Sequence, residues 1–324
     1  MKSHLRTSQR KPSRRTRASL STAPFIPCLL DCVLGAGQIL LRYFGHAIHP
    51  RQKENASSIV CDADLAAERF ILKHIRARFP HHNIVSEESG RAWQTSEYTW
   101  VVDPLDGTSN FVAGIPWFGV QIALLRGRSP IVAAMYLPTE NALYFAEAGR
   151  GAWRNRKRIH VTAEPKLQNV LCAFAFDPVR TPDAAHPRAR ATLPPLPEGE
   201  GRGEGEQPAP HPLPSPADLL FRVSSAVRNT RATNSLVDFC YTADGRLGGC
   251  INLKTKIWDI APMHLILPEA GGKFTHLDGS RILLQLDAQA AAQNYAVLGA
   301  STRLHGKLLT LTSRSPPRVI AKWP

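Results

Sequence analysis

The sequence has no run of apolar residues that approaches the roughly 20 needed to span a bilayer, which argues against a membrane protein. It also has no C-x-x-C pair and no histidine at zinc-finger spacing. The six cysteines therefore predict free, mostly buried thiols in a reducing, cytoplasmic compartment rather than a metal-thiolate site. Hydrophobic residues make up 43% and charged residues 20% of the 324 positions, which provides enough apolar material for a core and excludes a wholly disordered chain.

Acidic residues are absent from the first 24 positions, which hold seven of the 40 Lys and Arg residues. Because the formal net charge is +14, this segment carries half of the positive excess. We expect residues 1–24 to form a disordered basic tail, since they contain hardly any apolar side chains. An export signal is not predicted, because Pro27 and Asp31 interrupt the apolar stretch that follows and no small-residue cleavage site is present.

A second stretch with little apolar content, residues 186–216, is dominated by proline and glycine. This composition is typical of a solvated loop insertion, and a polyproline ligand for another module is the less favoured interpretation. The chain around it leaves two regions that are expected to fold, an N-terminal half over 25–155 and a C-terminal half over 156–312, followed by a tail over 313–324. Loop-closure entropy grows only logarithmically with length, so the insertion is compatible with a continuous fold.

Helix and strand patterns alternate through both halves of the chain. β-Rich runs predict strands at residues 98–102, 119–125, 131–137, 142–146 and 295–300. A helix is predicted after the candidate caps Asp62 and Asp64, and another over 235–242. The apolar face of the first helix would hold Leu65, Leu72, Ile75 and Phe79. This mixture predicts stacked layers of sheets and helices.

Two carboxylates stand three residues apart in the segment 103–111, which reads DPLDGTSNF and directly follows a predicted strand. Pro104 stiffens the turn and Gly107 frees the backbone, so Asp103 and Asp106 can be aimed at one point. Carboxylate and carbonyl oxygens are the ligands that Mg²⁺ prefers. The N–H groups of a helical turn that starts at Gly107 and Thr108 can hold a phosphate. On its own, the segment is equally compatible with an Asx-type turn that carries solvated acids.

Further acids lie at the ends of other predicted elements. Glu87 and Glu88 close the run 83–85, and Asp259 stands at the start of a predicted helix, before Pro262. An ordinary helix N-cap is the alternative explanation for Asp259. If several acids converge, they need a compensating charge, which metal ions usually supply.

Four segments resemble the signature motifs of the inositol monophosphatase family: residues 59–64 (IVCDAD), 86–89 (SEES), 103–111 and 258–261 (WDIA). The order and spacing match, with 23 residues from Asp64 to Glu87 and 16 from Glu87 to Asp103. The resemblance covers about residues 28–305. It implies a layered αβαβα sandwich of mixed α+β and α/β character, with the active site between the two halves. It also implies a homodimeric phosphomonoesterase that uses two or three Mg²⁺ ions and is inhibited by Li⁺.

The family pattern also implies which residues hold the metal ions. Glu87, Asp103 and the carbonyl of Leu105 would hold the first ion. Asp103, Asp106 and Asp259 would hold the second, so that Asp103 bridges the two. Two-metal hydrolysis by an activated water is the mechanism that this arrangement implies.

Catalytic and phosphate-binding roles follow from the same resemblance. Glu87 and Thr108 would position the attacking water, and Asp64 would hydrogen-bond Thr108. The backbone N–H groups of Gly107 and Thr108 would bind the phosphate. Lys53, 11 residues before Asp64, matches a basic residue of the family's mobile metal-binding loop.

The substrate pocket departs from the family pattern. Animal inositol monophosphatases have an acid seven positions before the Trp-Asp aspartate, where this sequence has Asn252. Ser235, in a segment that resembles the pocket lining, joins Asn252 as a candidate substrate contact, and Asp106 would contact substrate beside the metals. An ordinary turn role is an equally weighted interpretation for Ser235 and Asn252.

Other departures lie outside the predicted ligands. Cys61 stands where the family usually has threonine, and a thiol is a weaker hydrogen-bond donor. Pro262 replaces a small residue, and Pro268 is expected to kink the helix that follows Asp259. Trp117 and Phe118 lie near the motif and are interpreted as core residues.

The sequence therefore favours a cytoplasmic, Mg²⁺-dependent phosphatase for inositol monophosphate or a related small sugar-type phosphate. A phosphatase for fructose 1,6-bisphosphate, histidinol phosphate or 3′-phosphoadenosine 5′-phosphate is an alternative, because the metal-binding motifs do not separate these substrates. A transcription- or RNA-associated binding protein is an alternative of another class. The basic tail favours it through phosphate neutralisation, although no aromatic residues are interleaved among the cations.

Overall fold

The computed structural model describes residues 21–46, 51–52, 59–176, 215–287 and 289–312, with side chains outside 51–60. Of the predicted low-complexity segments, the tail up to residue 20, the insertion up to residue 214 and the tail over 313–324 lie outside the described residues. The helices are α1 Ile26–Tyr43, α2 Asp62–Arg78, α3 Thr108–Val112, α4 Pro216–Ala226, α5 Leu236–Ala243, α6 Ile257–Ile260, α7 Met263–Glu269 and α8 Thr302–Thr312.

Two sheets organise the described chain, apart from the short antiparallel pair β1 Arg51–Gln52 and β2 Ile59–Val60. The eight-stranded sheet has the order β10-β9-β8-β7-β6-β5-β3-β4, and its β3–β5 pair is parallel. Its strands are β3 Asn83–Ser86, β4 Gly90–Ala92, β5 Tyr98–Asp106, β6 Gly119–Arg126, β7 Ser129–Leu137, β8 Ala142–Glu147, β9 Gly151–Arg154 and β10 Lys157–Arg158.

The five-stranded sheet belongs to the C-terminal part of the chain and has the order β12-β11-β13-β15-β14. β11 is parallel to both β12 and β13, whereas β15 is antiparallel to β13 and β14. Its strands are β11 Leu171–Ala175, β12 Asn229–Arg231, β13 Gly249–Thr255, β14 Gly272–His276 and β15 Tyr295–Ser301.

Three apolar clusters show how the layers stack. One face of the eight-stranded sheet, including Trp100 and Val102, packs on α1 and α2. The other face, including Val101, packs on α5, α6 and α7, which in turn contact the five-stranded sheet through Cys250. The far face of that sheet, including Ile251, packs on α4 and α8. Because side chains alternate between the faces of a strand, each sheet is buried on both sides. The predicted αβαβα sandwich is confirmed.

Helix α1 is long and apolar enough, by length and composition alone, to cross a membrane, contrary to the expectation that no segment qualifies. Cys28, Leu29, Cys32 and Leu40 on this helix are fully buried against α2 and the eight-stranded sheet. That packing is the environment of a core helix. All six cysteines are free and buried, as predicted.

The predicted strands are confirmed in position, and β5 runs on to Asp106 instead of ending before Asp103. The prediction for α2 is wrong in two respects. Cys61, not Asp62 or Asp64, is the N-cap. The buried face holds Ala63, Ala67, Ile71 and Ile75, whereas Leu65, Leu72 and Phe79 are only half-buried.

Close packing between helices explains why the larger residues were misjudged. The thiols of Cys28 and Cys32 on α1 lie 3.8 Å from the carbonyl oxygens of His74 and Ile71 on α2. At such an approach small side chains fill the contact, and longer ones are displaced to its edges.

Candidate active site

The end of β5 aims two carboxylates at the same region. In a regular strand, residues three apart point to opposite faces of the sheet. The pairing of β5 with β6 shifts register between Asp103, opposite Gln121, and Asp106, opposite Gly119. A bulge of this kind re-aims side chains and accommodates a proline such as Pro104, which cannot donate to the ladder.

Gln121 on β6 fixes both carboxylates. Its Nε2 donates to Oδ2 of Asp106 at 2.8 Å and to Oδ2 of Asp103 at 3.3 Å. Its Oε1 is buried and has no hydrogen-bond partner among the described residues. Sequence reasoning missed Gln121, although its place opposite Asp103 follows once the register of the two strands is known.

Asp259 approaches the pair from the C-terminal part of the chain. It occupies the third position of α6, where its Oδ2 accepts a hydrogen bond from the backbone N–H of Lys256 at 2.6 Å. It is therefore not the N-cap itself, which is Lys256. Asp103, Asp106 and Asp259 each offer an oxygen within 4.8 Å of those of the other two. Residues far apart in sequence thus converge, as predicted.

Burial and mutual repulsion raise the pKa values in the cluster, although Lys256 acts in the lowering direction on Asp259. Burial, together with Glu87, Asp106 and Asp259, raises the pKa of Asp103 well above its ordinary value. Burial and then Asp106 raise the pKa of Asp259 in the same direction. Burial also raises the pKa of Asp106 to about 7, against the lowering effect of the backbone N–H of Leu236. Like charges in a buried site need a cation, and an all-oxygen donor set fits a hard divalent ion such as Mg²⁺.

A cavity of about 130 Å³ opens beside this cluster. It is lined by Glu87, Asp103, Leu105, Asp106, Gly107, Thr108, Asn234, Ser235, Phe239, Asn252, Lys254 and Asp259. All the predicted metal and substrate residues are thus brought together, apart from Lys53, which lies outside the described residues. Sequence reasoning did not name Phe239, Lys254 or Asn234 as candidates, although Asn234 lies in the segment that resembles the pocket lining.

Asp64 does not line the cavity but contacts a residue that does. Oγ1 of Thr108 lies 3.2 Å from Oδ1 of Asp64. It also lies 3.0 Å from the carbonyl oxygen of Leu105, which is a second acceptor for the same hydroxyl hydrogen. Oδ2 of Asp64 accepts from the backbone N–H of Cys61 at 2.9 Å and from its thiol at 2.7 Å. Asp64 is fully buried, so these bonds fix its orientation.

The thiol of Cys61 remains a hydrogen-bond donor at neutral pH. Burial, and then the charge of Asp64, raises its pKa to about 12. A continuous series of contacts therefore runs from Cys61 through Asp64 to the hydroxyl of Thr108.

We expect Cys61→Ala to lower kcat about 2- to 10-fold with little change in KM, because one hydrogen bond that orients Asp64 is lost. Cys61→Ser keeps a donor and is expected to stay closer to the wild-type kcat. Steady-state kinetics of the two variants checks this. Equal kcat values for the alanine variant and the wild type would show that the thiol does not orient Asp64.

One residue near the start of α5, Ser235, both caps that helix and lines the cavity. Ser235 is the N-cap of α5, and its Oγ accepts from the backbone N–H of Val237 at 3.3 Å. The backbone N–H of Leu236, the first residue of α5, donates to Oδ1 of Asp106 at 2.5 Å. The start of α5 is therefore joined directly to the carboxylate cluster, and the ordinary turn role weighed for Ser235 coexists with a place in the cavity.

Asp238 is a buried acid just behind this wall that sequence reasoning did not single out. It is 4% exposed, and burial raises its pKa to about 6, while polar groups of Thr233 and Asn234 act in the lowering direction. The sequence feature that marks Asp238 is its place in the first turn of a predicted helix, where acidic residues are favoured in general.

Asp238 predicts a pH dependence of stability. A carboxyl group whose folded-state pKa is raised destabilises the folded protein as pH rises from about 4 towards 6, and it costs nothing below that window. Asp238→Asn should therefore be more stable than wild type above pH 7, by about 2–3 kcal/mol. Urea unfolding at pH 4 and pH 8, with Mg²⁺ present, checks this. Parallel pH profiles for the two proteins would contradict it.

The two aromatic residues after the motif behave differently. Phe118 is fully buried and packs on Phe44 and Phe111, with ring centroids 4.8 and 4.7 Å apart, as predicted for a core residue. The same prediction for Trp117 is wrong, because 42% of this residue is exposed. Its carbonyl oxygen instead accepts a hydrogen bond from Nδ2 of Asn110 at 2.9 Å. Trp117 therefore contacts the segment 103–111 through its backbone carbonyl oxygen and not through its ring.

The fold and the site together define a layered α/β protein with a carboxylate cluster whose oxygens fit a hard divalent cation, beside a glycine turn that opens a short helix. The sequence profile described as "Inositol monophosphatase family" matches residues 22–315. The chain belongs to the inositol monophosphatase family. The family resemblance read from the four motifs is thereby confirmed.

Similar proteins carry two kinds of name. The "Fructose-1,6-bisphosphatase/inositol-1-monophosphatase" of Aquifex aeolicus is 33% identical over 243 residues, which cover 75% of this chain and 81% of that protein. The "Putative Nus factor SuhB" of Neisseria meningitidis serogroup B is 30% identical over 258 residues, which cover 79% of this chain and 88% of that protein.

Solved structures agree on the fold. The extragenic suppressor protein suhB from Bartonella henselae superposes with a TM-score of 0.72 at 25% identity, covering 90% of this chain and 99% of that chain. An inositol monophosphatase from Anabaena gives 0.68 at 27% identity, with coverage of 91% and 98%.

Proposed function

We propose that this protein is a Mg²⁺-dependent phosphomonoesterase that hydrolyses inositol monophosphate or a related small sugar-type phosphate. The observation that carries the proposal is the convergence of Asp103, Asp106 and Asp259 within 4.8 Å at one side of a cavity. Membership of a phosphatase family supports the reaction class. Carboxylates with raised pKa values beside a cavity are a candidate functional site on physical grounds alone.

The proposal assigns metal-binding roles to five of the lining residues. Glu87, Asp103 and the carbonyl of Leu105 would hold one Mg²⁺ ion, and Asp103, Asp106 and Asp259 a second. Ions bound there would lower the pKa of a bound water molecule and would stabilise the negative charge that develops on the leaving oxygen.

The remaining chemistry belongs to the protein's own groups. Asp64 accepts from Thr108, which fixes the hydroxyl, and Thr108 together with Glu87 would orient the attacking water. Gly107 has a φ of +88° and is the N-cap of α3. The N–H groups that follow it therefore do not form hydrogen bonds within the preceding strand. These groups would face the phosphate. Asp106, Ser235 and Asn252 would contact the rest of the substrate.

The test is phosphate release from a panel of phosphomonoesters, with and without Mg²⁺. We expect release that requires Mg²⁺ and is reversed by chelation. The panel includes inositol 1-phosphate, fructose 1,6-bisphosphate, histidinol phosphate and 3′-phosphoadenosine 5′-phosphate, since these are the alternative substrates. A folded protein that releases no phosphate from any of them in Mg²⁺ would rule out the proposal.

A transcription-associated binding role is the second candidate, favoured by the relatives named Nus factor SuhB. The basic segment 1–24 would serve such a role by neutralising phosphate charges on RNA. Removal of residues 1–20 separates the two candidates: loss of RNA binding with intact phosphatase activity would make the tail an addition to the enzyme.

The proposal includes a homodimer and a cytoplasmic location, both taken from the family resemblance. It also treats residues 25–155 and 156–312 as the two halves that form the site. Sedimentation velocity of the purified protein tests the dimer. A monomer at micromolar concentration would remove it from the proposal.

A further inference from the structure

Residues 232–235 form the connection from β12 to α5, and two of them, Asn234 and Ser235, line the cavity. Asn234 has a φ of +52°, a left-handed conformation that residues other than glycine adopt at a cost. A backbone in such a conformation persists only where the surrounding structure holds it. The contacts that hold the β12–α5 connection therefore decide where Asn234 and Ser235 stand in the cavity.

Asn110, at the far end of the segment 103–111, supplies one of those contacts. Its Nδ2 donates to the carbonyl oxygen of Thr233 at 2.8 Å, across 123 positions of the sequence. The same nitrogen donates to the carbonyl oxygen of Trp117 at 2.9 Å. Both partners are acceptors only, so the two hydrogens of the amide point at the two carbonyls. Asn110 therefore joins the β12–α5 connection to the loop that follows α3.

The two segments that Asn110 joins meet at Gly107. A Cβ placed on Gly107 would lie 2.6 Å from the carbonyl oxygen of Trp117 and 3.1 Å from Cβ of Ser235. The glycine turn is thus enclosed between the loop after α3 on one side and the β12–α5 connection on the other. The amide of Asn110 holds these two segments together across it.

A second cross-link joins the same parts of the chain and closes a ring of contacts. The N–H of Leu236 donates to Oδ1 of Asp106, 130 positions away. From Asp106 the chain runs through α3 to Asn110, and the Asn110 amide returns to Thr233, three residues before Leu236. One hydrogen bond between two segments acts as a pivot, whereas two separated bonds fix their relative orientation. Loss of the Asn110 amide would leave the Leu236 contact as such a pivot.

The glycine turn and the carboxylates have anchors that do not involve Asn110. The hydroxyl of Thr108 is held by Asp64 and by the carbonyl of Leu105. Gln121 holds the two carboxylates of β5. Removal of the Asn110 amide should therefore displace the β12–α5 connection more than the metal cluster or the turn.

We propose that Asn110 is a positioning residue that sets where the β12–α5 connection stands relative to the carboxylates and the glycine turn. It does not line the cavity and acts through Thr233 on the neighbours of that residue. The proposal rests on the phosphatase function proposed above. It assigns Asn110 to recognition of the part of the substrate that lies beyond the phosphate.

Asn110→Ala tests this with two kinds of substrate. 4-Nitrophenyl phosphate has no hydroxyl groups, whereas the sugar-type phosphate that the wild type hydrolyses best has several. We expect kcat/KM for the sugar-type phosphate to fall by about 10- to 100-fold, since a misplacement of about 1 Å can cost 10²-fold. The value for 4-nitrophenyl phosphate should stay within about 3-fold of wild type. Equal losses for the two substrates would overturn the proposal.

Amide hydrogen exchange tests the position of the wall without turnover. Exchange of a peptide that spans residues 233–240, followed by mass spectrometry, should be faster in Asn110→Ala by about 10-fold or more, because the connection has lost one of its cross-links. Exchange over β5 and β6 should match wild type. Unchanged exchange over 233–240 would overturn the proposal even if the variant were less active.

Asn155→Ala is the matched control for both measurements. Asn155 also links backbone groups through its amide: Nδ2 donates to the carbonyl oxygen of Asn141 at 2.7 Å, and Oδ1 accepts from the N–H of Leu143 at 2.8 Å. It lies between β9 and β10, outside the cavity. The control should keep the wild-type kcat/KM for both substrates and the wild-type exchange over 233–240, even where its Tm is lower.

A second variant and the separate readouts keep the result interpretable. Asn110→Ser has one donor in place of two and should show both changes to a smaller extent; it takes the place of the alanine variant if thermal unfolding shows that the latter is not folded. Wild-type values of Asn110→Ser in both measurements would overturn the proposal. A wild type without phosphatase activity would remove the proposed function, whereas the exchange over 233–240 would still decide whether Asn110 positions the wall.

Discussion

Asp103→Asn is expected to lower kcat by at least about 10³-fold. Asp103 is the centre of the site: it is 1% exposed and shares Gln121 with Asp106. In the proposed function it would be a ligand of both Mg²⁺ ions, so an amide there would remove one negative charge from the ligand set of each ion. Loss of a single preorganised electrostatic group typically costs about 10²- to 10³-fold in kcat, and loss of a bridging ligand should cost at least as much.

The same substitution should stabilise the protein when metal is removed. Burial and three neighbouring carboxylates raise the pKa of Asp103, so this carboxyl group destabilises the metal-free folded state at alkaline pH, whereas a neutral amide does not carry that cost. We therefore expect the Tm of Asp103→Asn to exceed that of wild type in EDTA. Added Mg²⁺ should raise the Tm of the wild type far more than that of the variant.

Asp278→Asn is the matched control for both measurements. Asp278 lies in an exposed turn outside the cavity, where its Oδ1 accepts from the N–H of Ser280, a bond that asparagine can keep. Phosphate release and thermal unfolding of this variant should match wild type. Retention of more than a tenth of the wild-type kcat by Asp103→Asn would exclude Asp103 as a bridging ligand.

Gly107→Ala should have the next largest effect, on both stability and activity. The φ of Gly107 is +88°, a conformation that costs an L-residue about 1–2 kcal/mol. A Cβ there would also lie 2.6 Å from the carbonyl oxygen of Trp117 and 3.1 Å from Cβ of Ser235. The nearest atom is backbone and cannot rotate away, so the turn itself must move.

Gly114→Ala isolates the effect of this close approach. Gly114 has a φ of +73°, and a Cβ there would meet no atom within 4 Å. It should lose about 1 kcal/mol from backbone strain alone. Gly107→Ala should lose about 1–3 kcal/mol more, from overpacking. Urea unfolding of the two variants gives the difference directly.

Activity should separate the same two glycines more strongly. A displaced turn moves the backbone N–H groups of Gly107 and Thr108, and a misplacement of about 1 Å can cost 10²-fold in rate. We expect kcat/KM to fall about 100-fold in Gly107→Ala and to stay near wild type in Gly114→Ala. Similar losses in both variants would mean that the turn at Gly107 is not needed in this conformation.

The positions of the main strands and the four motifs were determined by the sequence itself. Alternating apolar residues and turn residues are local signals, and they placed strands such as β6 and β7 within one or two residues of their observed bounds. The segment 103–111 likewise carries its own turn chemistry in Pro104 and Gly107. Motif order then implied the layered sandwich, which the packing of both sheets confirms.

Only the tertiary structure decided how side chains meet. The bulge after Asp103 brings Asp103 and Asp106 to one site, although their spacing in a regular strand would separate them. Local sequence likewise misjudged the cap of α2, because cysteine is not among the favoured N-cap residues, and here its backbone N–H and thiol both donate to the buried carboxylate of Asp64.

Two of the contacts that sequence reasoning missed join residues that are distant in the chain. Gln121 contacts Asp103 through a strand pairing, and Leu236 reaches Asp106 across 130 positions. Lys254 enters the cavity at a bulge whose register depends on β15. The sequence by itself determined the local elements and the metal-binding motifs of this protein. The convergence of those motifs depends on strand register, which local backbone preferences do not encode.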